Sequence, residues 1–111
     1  MINYDVKLKV QLQKYLDQID LLLDRGVFVT LIKNDFGNSC YLIPGGKLVH
    51  NVAGAQYVVP AAVESLIEAV RFYKIQPQLD DATALMMVIA RLAQILDNPR
   101  EYFPNYKSNL R

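Results

Sequence analysis

The chain has 111 residues, of which 52% are hydrophobic and 21% charged, with a net charge of +1. That length suffices for one domain with its own core, without metal or disulfide support. The near-neutral charge argues against a general nucleic-acid binder, an acidic tail or an electrostatic membrane anchor.

Residues Ile2 to Gln13 alternate apolar and polar, as in a half-buried strand. Leu8, Leu12, Tyr15, Ile19 and Leu22 also recur at four-three spacing, as on one helix face. No Gly or Pro interrupts the segment, and Lys, Leu and Gln are good helix formers. The favoured reading is one helix from about Asn3 to Arg25, capped by Asn3 and ended by Gly26. A strand over Ile2 to Gln13 is the alternative.

After Gly26 the period changes. Val27 to Lys33 is rich in β-branched and aromatic residues and reads as a strand. The turn cluster Asn34 to Ser39 leads to a returning strand, Cys40 to Ile43, and so to a hairpin. Pro44-Gly45-Gly46 breaks that strand. Lys47 to Val52 forms a third, and Gln56 to Val59 a short extended piece after the bend at Ala53-Gly54-Ala55.

Pro60 suits the first turn of a helix, which runs to about Tyr73 with Val63, Leu66, Ile67 and Val70 on its apolar stripe. Gln76-Pro77-Gln78 forces a turn. The last helix, Asp80 to Asp97, carries an unbroken apolar run from Ala84 to Ala90, which points in every direction around the axis. It is therefore a central strut of the core or half of a subunit interface. Residues 98–111 read as an extended tail with the aromatics Tyr102, Phe103 and Tyr106.

These elements predict an α+β domain over residues 1–97, in the order helix, antiparallel meander of three or four strands, and two C-terminal helices packed on the sheet. The single cysteine, Cys40, cannot form an internal disulfide, which points to a reducing cytoplasm. No basic segment followed by an apolar stretch stands at the N-terminus, so no secretory signal is expected. The span Ala84 to Leu96 is too short and too interrupted for a bilayer, which needs about 20 residues.

Several clusters invite a chemical reading. Leu42-Ile43-Pro44-Gly45-Gly46-Lys47, ahead of a helix bearing Glu64 and Glu68, resembles the strand–turn entry of the Nudix hydrolases. The resemblance spans about Val27 to Lys47 and implies cleavage of nucleoside diphosphate derivatives with carboxylate-bound magnesium. Position 52, where the family's spacing places a glutamate, is Val52, and the Arg-Glu with paired glutamates of the catalytic helix is absent. Asp80-Asp81-Ala82-Thr83 is similar to the Asp-Asp-x-Thr element of magnesium-dependent serine/threonine phosphatases. At a helix start, however, carboxylates cap free N–H groups.

Cys40 and His50 could pair as thiol and base if they lay on neighbouring strands, though no third group orients them. With one Cys and one His, no metal-ligand spacing exists, and no cofactor is expected. Arg100, Lys107 and Arg111 interleave with the tail aromatics, but three cations are few for holding a nucleic acid.

The expected function is non-enzymatic: a small cytoplasmic interaction or assembly module, homodimeric through its apolar C-terminal helices. Met86, Met87, Ile89, Leu92 and Leu96 would form that contact, with Tyr102, Phe103 and Tyr106 latching onto a protein partner. The alternative is a small-molecule or nucleotide site, with weak hydrolase activity, built from Gly45, Gly46, Lys47, His50 and Asn51.

Overall fold

A computed structural model describes residues 3–23 and 27–103, with the backbone alone for residues 3–5. The elements are α1 (Asn3–Leu22), β1 (Val29–Lys33), β2 (Ser39–Ile43), β3 (Lys47–Val52), β4 (Ala55–Pro60), α2 (Val63–Tyr73), α3 (Asp81–Asp97) and the short α4 (Pro99–Tyr102). The four strands form one antiparallel meander in the order β1-β2-β3-β4. This is the expected α+β fold.

The N-terminal ambiguity resolves to helix. A strand would place Val6 and Val10 on the same face as Leu8 and Leu12; instead Val6 and Val10 are exposed while Leu12, Leu16 and Ile19 are buried. The expected Asn3 cap and Gly26 stop lie outside the described side chains.

Three boundaries differ from the sequence reading, the first being the end of α1, which stops at Leu22 and not near Arg25. Pro60 does not open α2 but closes β4, where it pairs with Lys47. Both positions tolerate a residue without an N–H, so composition could not separate them. Residues 99–102, expected in an extended tail, form a helical turn with Pro99 in its first turn, and the Phe103 N–H closes it onto the Pro99 carbonyl at 2.8 Å. Phe103 is buried, which ties this segment to the core.

The rows of the sheet settle which face meets the helices. Val29, Leu42, Leu48 and Val59 are aligned across the strands and all belong to or pack against the core cluster, as do Ile32 and Cys40 in the next row. The alternate row, Thr30-Tyr41-Val49-Val58, stays out of that cluster. On the core side, α3 packs against α1, α2, α4 and β1. Ala82, Ala84, Leu85, Val88, Leu92 and Ile95 are its buried residues, so one side of the helix is a strut of the core while Met86, Met87 and Ala90 are exposed.

Helix α2 ends with the Gln76 N–H on the Arg71 carbonyl and the Ile75 N–H on the Phe72 carbonyl, a Schellman closure. It places Ile75 at φ 54°, a conformation that favours glycine.

Leu92 is fully buried, and truncating it leaves a cavity at the centre of the helical layer. Leu92→Ala is expected to lower unfolding stability by about 2–5 kcal/mol in chemical denaturation. Met86→Ala, at a half-exposed position, should change it by no more than about 0.5 kcal/mol. Equal, small effects at both sites would contradict the strut role of α3.

Candidate functional site

The glycine turn carries positive φ at Gly45 (93°) and Gly46 (71°). Successive amides of this kind form a cradle for an oxyanion. The anion they hold belongs to the chain itself: both N–H groups donate to Asp20 Oδ1, at 3.0 and 3.3 Å. The turn thus pins α1 to the β2–β3 connection.

The remaining members of the expected ligand set do not converge on it. Lys47 and Asn51 share the parity of Val49 and lie on the face opposite the core, whereas His50 lies on the core face. Glu64 and Glu68 are exposed on α2, where Glu68 pairs with Arg71 at 3.8 Å. Asp80 Oδ1 accepts the Thr83 hydroxyl, which holds the Asp80 carboxyl below the ordinary range, and Asp81 binds the Arg71 guanidinium. Among the described residues no group of three His, Cys, Asp or Glu could hold a metal ion.

Cys40 and His50 are direct register partners on β2 and β3 and share the core face. Their chemistry is nevertheless committed elsewhere. Burial pushes the Cys40 thiol up to about 12, against a weaker opposing hydrogen bond from the Ile32 backbone, so it stays protonated at neutral pH.

His50 Nδ1 lies 2.7 Å from the Tyr73 hydroxyl, which itself donates to the Ser39 carbonyl at 2.8 Å. The hydroxyl has one proton and spends it on Ser39, so Nδ1 must be the donor in the His50–Tyr73 bond. The imidazole is held as one tautomer, stacked parallel to the Tyr73 ring. This relay ties β2, β3 and α2 together; it does not activate the thiol.

The residues expected at a helical interface divide. Met86 and Met87 are exposed, and Ile89, Leu96 and Tyr102 are half-buried. Leu92 and Phe103 are buried within the chain and are corrected to core residues. Tyr106 lies outside the described residues.

Two surfaces were missed. The first is a groove of about 410 Å³ between β1 and α2/α3, lined by Leu31, Val70, Met87 and Val88 and by the cations Lys33, Lys74 and Arg91. Arg91 is occupied there: Nε and Nη2 donate to the Thr30 carbonyl at 3.3 and 2.8 Å, and its guanidinium lies 5.1 Å from the centre of the Tyr102 ring.

The second is the outer face of the sheet. No described helix contributes to the row Thr30-Tyr41-Val49-Val58. Phe28 rests on Tyr41 with ring centres 4.7 Å apart. Gln56 Nε2 donates to the Tyr41 hydroxyl at 3.2 Å, spanning β3 from β4 to β2. That bridge explains why Val49 is buried on a face to which no described helix contributes, while Phe28 and Val58 stay 55% and 59% exposed. A signal for this face stood in the sequence: Leu48-Val49 and Val58-Val59 are apolar on both parities, whereas a strand with one wet face alternates.

No protein-family model, curated protein or solved structure matches this chain.

Burial holds the His50 imidazole below its ordinary value of 6.5. The unfolded chain then binds this proton more readily than the folded one. Stability is complete above the unfolded value and falls as pH drops below 6.5 toward the folded value. His50→Asn keeps a side-chain N–H for Tyr73 but cannot titrate. Denaturation midpoints across that window should fall more steeply for the wild type than for His50→Asn; parallel curves would remove His50 from the pH dependence.

Proposed function

We propose that this chain is a non-enzymatic cytoplasmic interaction module whose contact surface is the outer face of its sheet. The observation that carries this reading is the apolar row of Phe28, Tyr41 and Val58 on a face without a described helix. An exposed apolar patch of this kind, bordered by polar side chains such as Asn51 and Gln56, is a common form of protein contact surface.

Other features support it. The Cys40 thiol is buried and held protonated, the His50 imidazole is bound into the core-side relay, and the glycine turn is filled by Asp20. A lone, buried Cys40 suits a reducing compartment. The contact surface moves from the C-terminal helices to the sheet because α3 spends most of its apolar surface inside the domain.

Phe28→Asp places a charge on the outer face at an exposed position, so the fold should survive. Immobilised wild-type chain should retain protein from a cytoplasmic extract that Phe28→Asp loses and Met86→Asp keeps. The reverse pattern would put the contact on α3, and an absence of retained protein would count against the module reading altogether.

A further inference from the structure

The two edges of the sheet are treated differently. At β1, Arg91 covers the Thr30 carbonyl, the register is broken by a bulge between Thr30 and Ile32, and Lys33 ends the strand. These are devices that discourage strand addition. At β4, among the described residues, the one such device is the terminal Pro60. Its pairing with β3 is regular from Lys47↔Pro60 to Val52↔Ala55, and no residue from Val52 to Val63 carries a charge.

We propose that β4 pairs antiparallel with β4 of a second copy of this chain, about a two-fold axis through Tyr57. This deepens the reading above by naming one partner of the sheet. The hydrogen-bond parity selects that register. The two-residue turn Ala53-Gly54 has φ 52° and 82°, so Val52 and Ala55 close the hairpin as a hydrogen-bonded pair. The same phase recurs at the far end, where the Ala61 N–H donates to the Gly46 carbonyl at 2.8 Å.

It follows that Ala55, Tyr57 and Val59 turn their backbone groups toward β3. Gln56 and Val58 turn theirs to the edge that no described strand pairs. Pro60 has no N–H, and its carbonyl already accepts from Ala62 at 2.9 Å.

Three two-fold registers can be weighed. An axis at Val58 would set Gln56 against the spent Pro60. An axis at Gln56 would set Val58 against the turn glycine, Gly54. Only an axis at Tyr57 sets Gln56 opposite Val58 of the partner twice over, using every free N–H and C=O of both strands. A strand without charge offers nothing to select a charged partner, whereas its own copy is complementary by symmetry.

Tyr57, 56% exposed, then faces its symmetry mate across a non-hydrogen-bonded pair, the closest side-chain geometry in a sheet. The recess between α2 and the β3–β4 hairpin, lined by His50, Val59 and Phe72 among others, borders the same edge. The two outer faces join into one surface across the pair.

The test uses purified full-length chain. Light scattering over a micromolar concentration series should give a dimer. Tyr57→Cys should form an intermolecular disulfide on mild oxidation, since Cα atoms of such a pair stand ~4.5 Å apart. Val58→Cys, diagonal to its mate, should not, and the buried Cys40 provides the unreactive background. Tyr57→Lys, with like charges opposed, should weaken dimerisation about tenfold or more while leaving the circular dichroism unchanged.

A monomer at every concentration would overturn the pairing. So would a dimer in which Tyr57→Cys does not cross-link. A dimer dissolved by Phe28→Asp but not by Tyr57→Lys would refute the edge register while leaving the outer-face reading intact.

Discussion

The packing of the buried face of α3 against α1, α2, α4 and β1 is the constraint from which the rest of this structure follows. Its apolar run is too broad for a surface helix, and the domain covers Ala84, Leu85 and Val88 by laying α1 and α2 beside the helix and β1 against it, while Met86, Met87 and Ala90 stay exposed. Leu85, Leu92 and Ile95 are fully buried there, each worth about 1.5–3 kcal/mol relative to an exposed position, against the entropy of ordering them. The arrangement also commits all three long helices to one side of a four-stranded meander. The other side is left to whatever its own side chains can do.

What they do is partial. The Tyr41–Gln56 bridge closes over Val49, and Phe28 leans on Tyr41, but Val58 and most of Phe28 remain in water. The sheet's edges show a similar imbalance, with β1 capped and bulged and β4 plain. Function is read from that asymmetry. The residues with conventional reactivity are drawn instead into the scaffold: Asp20 into the glycine turn, and His50 and Tyr73 into the relay to Ser39.

Much of the scaffold was legible in the sequence because it rests on periodicity. The change of period at Val27, the turn clusters and the run from Ala84 to Ala90 located the elements. The α1 ambiguity arose because strict alternation and a four-three stripe coexist over Leu8 and Leu12, and only tertiary packing could decide which residues to bury. The site was less legible. Asp20 meets Gly45 and Gly46 across 25 and 26 positions of sequence, and Tyr73 meets His50 across 23. Neither spacing follows any local rule. The Cys40–His50 pairing was foreseeable from a hairpin, but burial and the Tyr73 bond, which decide its chemistry, were not. Strands apolar on both parities did announce a second sheet surface, as Leu48-Val49 and Val58-Val59 show.

Amide hydrogen exchange measured at low and high micromolar concentration tests the central claim most directly, because it reads α3 and β4 in one experiment. If α3 is internal and the sheet makes the contact, protection at Gln56 and Val58 rises with concentration while the α3 amides from Leu85 to Leu92 stay equally slow at both. Protection that grows along α3, with β4 unchanged, would contradict it and return the interface to the helices.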